Sequence, residues 1–236
     1  MGMSNFYRYI TDLIFPNRCP CCGSFIKWDE LICRKCVSQF PEIKKKPCIK
    51  CGKVNCICDK ELHYDLCIVP MYYLGLIQKG ILNFKLNNGI NFGEYFAEKI
   101  VEELSEKMLI NEIDFVTSVP MSKNKLSKRG YNQANELAKI IARRIKKPVY
   151  NNIITKINEE LSQHELTEQE RINSVQGSFV ISNCPQNMKN QTVLLCDDVI
   201  TTGSTVNECA KLLKMEGARK VYCAIITTTL LNSKNN

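Results

Sequence analysis

Residues 193–205 read VLLCDDVITTGST, and they are the most informative part of the sequence for predicting the fold. Its first four residues are apolar, as in a strand that is buried on both faces of a parallel sheet. Two adjacent carboxylates follow, Asp197 and Asp198, and a turn with four hydroxyl side chains and one glycine then opens an amphipathic stretch. A strand that leads through a polar turn into a helix is typical of an α/β protein, where ligands bind at the carboxyl ends of the strands.

The chemistry of this turn suits a sugar phosphate. Backbone N–H groups, hydroxyls and the positive end of a helix dipole together bind a phosphate group, and paired carboxylates accept hydrogen bonds from vicinal hydroxyls. A simple helix cap would explain one hydroxyl, but not four in five positions. We therefore predict a site for a ribose 5-phosphate, with Asp197 and Asp198 on the ribose. The predicted phosphate ligands are Thr201, Thr202, Gly203, Ser204 and Thr205.

The same alternation of apolar runs and amphipathic stretches extends over most of the chain. It predicts a mostly parallel sheet that is covered by helices on both faces. The predicted strands are residues 66–73, 113–119, 149–154, 178–181, 192–196 and 220–228. The predicted helices are residues 75–84, 93–107, 132–146 and 204–216.

Composition excludes several classes of protein. The 236 residues are 44% hydrophobic and 24% charged, which is ordinary for a globular protein and excludes disordered and collagen-like chains. No apolar run approaches the roughly 18 residues of a membrane-spanning helix, and the N-terminus lacks the layout of a secretory signal. We therefore expect a cytoplasmic protein.

Ten of the 14 cysteines lie between Cys19 and Cys67, which predicts a separate head at residues 1–68 and a body at residues 69–236. The spacing of eight of them predicts two structural four-cysteine zinc sites, because the two thiolates of a tight turn can bind one ion. Sequential and cross-braced pairings both fit this spacing. A disulfide scaffold would need an oxidising compartment, and redox Cys-x-x-Cys pairs usually occur singly. In the sequential pairing, the ligands are Cys19, Cys22, Cys33 and Cys36 for one site, and Cys48, Cys51, Cys56 and Cys58 for the other. Cys21 and Cys67 are predicted to be buried apolar residues.

Residues 123–147 hold nine Lys or Arg and a single Glu, so this part of the chain attracts anions such as pyrophosphate or nucleic acid. Lys123, Arg129, Asn132 and Gln133 are predicted to lie in the loop or first helical turn beyond strand 113–119, where a guanidinium can hold phosphate oxygens. The remaining cations are expected only to solvate a helix face, and they are Lys139, Arg143, Arg144, Lys146 and Lys147.

Two further segments carry weaker signals. Apolar residues between Phe6 and Ile14 recur at helical spacing, which predicts a short helix docked on a neighbouring surface or, alternatively, on a membrane surface. Residues 161–171 read LSQHELTEQER, where Thr167 and Glu170 fit a capping box. Of the two histidines, His63 is expected at the junction between head and body, and His164 is a weak candidate for substrate contact.

The turn at residues 193–205 resembles the phosphoribosyl pyrophosphate loop of type I phosphoribosyltransferases. Together with FKL at 84–86, RGYNQ at 129–133, the segment from Gln163 and the cysteine-rich head, nearly the whole chain resembles the ComF family of competence-associated proteins. The resemblance implies a type I phosphoribosyltransferase fold behind a double zinc ribbon. It also implies catalytic roles for Arg129, Lys123 and Gln163, and a covering loop at residues 161–175. Ser174 departs from the family pattern, which usually has Asn there.

The resemblance further implies a role in DNA uptake. The implied ligands are phosphoribosyl pyrophosphate with magnesium, and the implied partners are single-stranded DNA and a competence helicase. Through such partners the protein would lie at the inner face of the membrane without inserting into it. No acceptor site is recognisable in the sequence, so enzymatic activity stays open. The alternative is a non-catalytic scaffold that binds single-stranded nucleic acid or senses phosphoribosyl pyrophosphate.

Overall fold

The computed structural model describes residues 16–54, 56, 58, 61–86, 89–157, 177–185 and 188–230. The predicted N-terminal helix, Gln163, His164, the capping box and Ser174 lie outside these residues. The strands are β1 Leu66–Ile68, β2 Met71–Tyr72, β3 Phe115–Ser118, β4 Ile154–Lys156, β5 Phe179–Ile181, β6 Thr192–Ile200 and β7 Lys220–Thr228. The helices are α1 Arg34–Ser38, α2 Leu76–Lys85, α3 Ile90–Glu106, α4 Lys123–Arg129, α5 Gln133–Ile145 and α6 Ser204–Met215, with a 3-10 turn at Ile110–Glu112.

Within the described residues, five strands form one parallel sheet in the order β1-β7-β6-β3, and β2 continues along the same edge of β7 as β1. β4 and β5 form a separate antiparallel pair. The parallel sheet confirms the predicted fold class. It places the carboxyl ends of β3, β6 and β7 side by side.

Both faces of the sheet are covered, because successive residues of β6 point to opposite sides. Leu194 and Cys196 belong to the core beneath α2, α3 and α5. Val193 and Leu195 belong to a second core beneath α6. Every residue from Thr192 to Cys196 is buried, as predicted for a central strand.

Three sequence predictions need correction. β6 continues to Ile200, so Asp197 and Asp198 lie within the strand rather than after it, because backbone pairing with β7 extends past them. Residues 123–129 form helix α4 and not a loop: Ser122 accepts a hydrogen bond from Lys125 N at its start, and Gly130 ends it with φ +79°. The predicted strand 149–154 reduces to a parallel bridge between Val149 and Val116, before β4 begins at Ile154.

The cysteine-rich head packs directly on the body. Cys19, Cys21, Ile32 and Cys36 are part of the same core as α2 and α3. Phe40 stacks on Phe96 of α3, with ring centroids 6.0–6.1 Å from those of Tyr95 and Phe96. β1, at the end of the predicted head, is a strand of the main sheet. A boundary at residue 68 stays a prediction. Among the described residues, no helix has the length and hydropathy needed to cross a membrane.

Candidate functional site

A cavity of about 680 Å³ opens at the carboxyl ends of β3 and β6. Its walls come from the end of α2, from α4, from the start of α5, from the β4–β5 pair and from the turn between β6 and α6. This is the edge at which parallel α/β sheets bind ligands. The cavity has the volume of an ordinary small-molecule site.

Two carboxylates from β6 line this cavity. Strand alternation directs Asp197 toward the α6 side and Asp198 toward the α2 side. The backbone N–H of Asp198 donates to Asp197 Oδ1 at 2.8 Å. Burial, and then repulsion from Asp198, hold the pKa of Asp197 well above its usual range. The two carboxylates can therefore accept hydrogen bonds from hydroxyl groups. Burial makes the negative charge of Asp197 unfavourable when no ligand donates to it.

Lys85, the last residue of α2, lies opposite the carboxylates. Its Nζ is 3.1 Å from Asp198 Oδ2, and its own carbonyl accepts a hydrogen bond from Gln133 Nε2 at 3.2 Å. Gln133 is only 1% exposed, and its Oε1 accepts from Arg129 Nη1 at 3.3 Å. One chain of contacts thus connects Arg129 on α4, through Gln133 and Lys85, to the carboxylate of Asp198.

The turn from Thr201 to Thr205, which we call the phosphate loop, lines the cavity at the N-terminus of α6. Gly203 has φ +81°, a conformation that disfavours residues with a Cβ. Thr202 Oγ1 and Ser204 Oγ share a hydrogen bond of 2.8 Å, and Ser204 N donates to Thr202 Oγ1 at 3.3 Å. The loop therefore collects hydroxyls and the positive end of the helix dipole at one point, as an oxyanion requires.

In addition to Lys85, cations from two elements surround the phosphate loop and the carboxylates. Lys125, Lys128 and Arg129 line the cavity from α4, and Lys156 lines it from β4. Desolvation lowers the pKa of Lys125 below its ordinary value, and repulsion from Lys156, Arg129 and Lys85 lowers it further. Desolvation also lowers the pKa of Lys156, whose Nζ lies 5.5 Å from the ring centroid of Phe179. A polyanionic ligand would relieve this repulsion.

The structure brings together most of the residues singled out from the sequence. Asp197, Asp198, Arg129, Asn132 and the whole phosphate loop line one cavity, whereas Lys123, at the start of α4, is exposed and is not among the lining residues. Sequence reasoning missed Lys125, Lys128 and Lys156. The spacing of Lys125, Lys128 and Arg129 is that of one helix face, so a predicted helix at α4 would have revealed the first two.

The other residues of the basic stretch have structural roles. Asn132 caps α5 by accepting from Ala134 N at 3.1 Å, and its Nδ2 donates to the carbonyl of Val119 at 2.9 Å. Arg143 and Arg144 both form ion pairs with Glu94 of α3. These contacts fix α5 to the end of β3 and to α3, which positions Gln133 at the cavity.

The eight head cysteines form two groups in the sequential pairing. The ligand atoms within each group lie within 4.8 Å of one another. The Sγ–Sγ distances are 3.8 Å for Cys22–Cys33, 3.6 Å for Cys48–Cys58 and 3.2 Å for Cys56–Cys58. A tetrahedral zinc with Zn–S bonds of about 2.3 Å requires edges of about 3.8 Å, so both groups fit structural zinc. All 14 cysteines lie in the described part of the chain, and none forms a disulfide. Cys21 and Cys67 are buried, in agreement with the sequence prediction.

Comparison with known families matches both parts of the chain. The phosphoribosyl transferase domain matches residues 127–233, and the double zinc ribbon domain matches residues 10–68. The fold and the two matches define a phosphoribosyltransferase-like protein that carries a double zinc ribbon.

Curated relatives narrow this class. Competence protein F of Haemophilus influenzae is 26% identical over 201 residues, covering 80% of this chain and 85% of that protein. Competence protein ComFC of Bacillus subtilis is 26% identical over 210 residues, or 81% of each chain. DNA utilization protein YhgH of Salmonella typhi is 31% identical over 117 residues, half of each chain. The chain is thus similar to competence proteins of the ComF type over 80–81% of its length.

Among solved structures, phosphoribosylpyrophosphate synthetase from Mycobacterium smegmatis aligns with a TM-score of 0.36 and 20% identity. The alignment covers 58% of this chain and 34% of that one, a similarity too low to bear on function.

Proposed function

We propose that the cavity binds phosphoribosyl pyrophosphate together with magnesium. The observation that carries this proposal is the placement of an acidic pair, a hydroxyl-rich helix N-terminus and a set of lysines and arginine around one cavity. A ribose with one phosphate at its 5 position and a pyrophosphate at its 1 position has matching groups for all three.

Each part of the ligand has a proposed partner. Asp197 and Asp198 accept hydrogen bonds from the two ribose hydroxyls. The phosphate loop holds the 5-phosphate, and Arg129, Lys125 and Lys128 hold the pyrophosphate. Magnesium would bind through phosphate and hydroxyl oxygens of the ligand, as this hard cation prefers. The Nζ of Lys85 lies 3.1 Å from Asp198 Oδ2, beside the proposed ribose position, and this ion pair orients the carboxylate. We keep the prediction that Gln163 has a catalytic role as part of a covering loop at residues 161–175.

The proposed chemistry is transfer of the phosphoribosyl group. Such a reaction passes through a cation-like sugar, so the protein must mainly orient the ribose, stabilise the leaving pyrophosphate and exclude water. The cations on α4 and β4 would stabilise the leaving pyrophosphate. The proposal covers binding of the donor, and transfer to an acceptor is a separate step with its own experiment.

The names of the relatives suggest the cellular setting. They include competence proteins and DNA utilization proteins. We propose that this chain also acts in the uptake or use of DNA, with single-stranded DNA and a competence helicase as partners, on the cytoplasmic side of the membrane. The basic stretch from Lys123 to Lys147 supplies the positive charge that contact with nucleic acid requires.

Titration calorimetry with phosphoribosyl pyrophosphate and magnesium tests the binding proposal. Replacing Asp197→Asn together with Asp198→Asn should weaken binding at least about 100-fold, because hydrogen bonds to charged groups contribute about 1.5–3 kcal/mol each. The matched control is Asp29→Asn, which changes an exposed carboxylate in the head. Equal affinity in the double variant and the wild-type protein would contradict the proposal that this cavity binds phosphoribosyl pyrophosphate.

Transfer is tested by pyrophosphate release. The wild-type protein with magnesium and phosphoribosyl pyrophosphate is offered a panel of purine and pyrimidine bases and amines, and pyrophosphate is measured enzymatically. Release that depends on one acceptor identifies an enzyme. Tight binding without release from any member of the panel would favour a sensing role for the same cavity.

A further inference from the structure

The second zinc ribbon lies against the phosphate loop. We use this name for residues 48–58, which carry Cys48, Cys51, Cys56 and Cys58. A Cβ placed on Gly203 would lie 3.6 Å from Lys53 Cε and 3.6 Å from the Tyr64 hydroxyl. Gly203 is the loop residue with positive φ, so the ribbon approaches the loop at its most constrained point.

Tyr64 connects this point to the metal ligands. Its side chain is buried, with 3% exposure, and its hydroxyl donates to the carbonyl of Cys51 at 3.2 Å. The Tyr64 hydroxyl therefore bonds to a cysteine of the second ribbon and lies next to Gly203 of the phosphate loop. A buried hydroxyl that loses its partner is costly, so the bond to Cys51 fixes the position of Tyr64 beside the loop.

A second connection runs through Asn207, in the first turn of α6. Its backbone N–H donates to the carbonyl of Gly203 at 2.9 Å. Its side-chain Oδ1 accepts from His63 N at 2.7 Å, and its Nδ2 donates to the carbonyl of Glu61 at 3.2 Å. The segment that leaves the ribbon is thus attached to the helix turn that forms the phosphate site.

The ribbon also has little freedom to move on the sheet. A Cβ on Gly52 would come within 2.6 Å of Cys67 Sγ, and Cys67 N donates to the carbonyl of Ile49 at 2.7 Å. Cys67 lies in β1, which pairs with β7. The second ribbon, the sheet and the phosphate loop are therefore packed as one unit.

We propose that the second zinc ribbon is a functional part of the phosphate site: Lys53 adds positive potential for a bound phosphate monoester, and Tyr64 and Asn207 are positioning residues for the loop. This inference rests on the proposed function. The physical reason is that a phosphate loop binds best when its N–H groups are held in place before the ligand arrives. A cation beside the loop adds Coulomb attraction at short range.

This arrangement gives the second metal site a role beyond folding. Cys48, Cys51, Cys56 and Cys58 would hold a structural zinc, which would fix the backbone around Cys51 and Lys53. The geometry of the phosphate loop would then depend on the second zinc ribbon through Tyr64 and Asn207.

Calorimetry on the full chain with phosphoribosyl pyrophosphate and magnesium, at two salt concentrations, tests the inference. Lys53→Gln should weaken binding about three- to tenfold and reduce its salt dependence, without loss of zinc. Tyr64→Phe should weaken binding by a similar factor with unchanged salt dependence. Lys53→Arg should restore most of the affinity. The matched control is Lys50→Gln, an exposed lysine of the same ribbon, which should leave affinity unchanged.

The outcomes separate this inference from the proposed function. If the wild-type protein binds the ligand, and Lys53→Gln behaves like Lys50→Gln, the inference is overturned while the proposed function stands. If the wild-type protein does not bind the ligand at all, both are overturned. Zinc content is measured on every variant, and if Tyr64→Phe loses zinc, the Lys53 pair of variants decides.

Discussion

Lys125 and Lys123 lie two residues apart on the same helix, yet only Lys125 lines the cavity. Desolvation and three neighbouring cations lower the pKa of Lys125, so its charge is disfavoured until an anion binds. We predict that Lys125→Met weakens binding of phosphoribosyl pyrophosphate about tenfold. The side chain is only partly shielded from solvent, which screens the repulsion. Removing this charge should therefore raise the free energy of unfolding by no more than about a few tenths of a kcal/mol.

Lys123→Met is the matched control for this prediction. It removes the same charge from the same helix and should change neither binding nor stability. Calorimetry and thermal melting measure the two effects separately. Equal losses of affinity in the two variants would indicate a diffuse electrostatic effect instead of a specific contact.

Asp197 gives the site a pH dependence. Its pKa is raised by burial and by Asp198, so it is protonated at pH values where an ordinary aspartate is ionised. Only the ionised form accepts both ribose hydroxyls, and affinity should therefore rise as pH rises through this pKa. Asp198→Asn removes the repulsion, lowers the pKa of Asp197 and should shift the acid limb of the affinity profile to lower pH.

Calorimetry over a pH series measures that shift. Titration of the ligand phosphates contributes equally to the wild-type protein and the variant, so the difference between their profiles isolates Asp197. An acid limb at the same pH in both proteins would contradict the assigned coupling.

Among the secondary-structure elements, those with strong hydrophobic patterns were predicted correctly from the sequence. β7 has the predicted bounds. α6 begins at the predicted residue and ends one residue before its predicted end. Long apolar patterns define both elements. Helix α4 escaped prediction because Leu126 is its only apolar residue, and its limits are instead set by the Ser122 cap and by Gly130. Because this helix was not predicted, Lys125 and Lys128 were not recognised as residues of the cavity.

Other features depend on contacts that no local pattern contains. Lys85 and Asp198 are 113 positions apart in the chain, and their ion pair depends on how α2 packs against the sheet. The position of Lys53 next to Gly203 also requires the docked ribbon. Sequence reasoning therefore identified the acidic pair and the hydroxyl-rich turn that line the cavity, but not the side chains that reach it from distant elements.

The first ribbon, residues 19–36 with Cys19, Cys22, Cys33 and Cys36, offers a direct test of the metal assignment. Cys22 belongs to the first four-cysteine group, and its neighbour Cys21 does not. Hydrogen bonds from Ser24 lower the pKa of Cys22 to about 6, so this thiol is ready to bind a cation at neutral pH. We predict two zinc equivalents in the wild-type protein and in Cys21→Ser, and close to one in Cys22→Ser. Elemental analysis after desalting measures them, and equal zinc contents in the two variants would contradict the assignment.

At the scale of the whole molecule, the first ribbon and the body share one hydrophobic core. Asn83 Nδ2 donates to the carbonyl of Pro20, and Asn91 Nδ2 donates to Asn17 Oδ1, so polar contacts support the same interface. The head should therefore unfold together with the body, in contrast to zinc modules that are joined to their neighbours by linkers.

The single tryptophan makes this cooperativity measurable. Trp28 lies in the first ribbon, whereas far-UV circular dichroism reports mainly on the helices and sheet of the body. We predict that thermal or denaturant transitions followed by Trp28 fluorescence and by circular dichroism coincide. A fluorescence transition at clearly lower temperature would show that the ribbon melts on its own.

The pairing of β1 with β7 has a consequence during synthesis. Asp65, next to β1, bonds to Val221, a residue 156 positions further along. The cysteines emerge early and can take up zinc at once, but β1 meets its partner only after those later residues have been translated. At about 5–20 residues per second, the nascent chain carries an unpaired strand edge for roughly 8–30 s. The interval before ribosome release is thus when this protein is most exposed to aggregation and most in need of a chaperone.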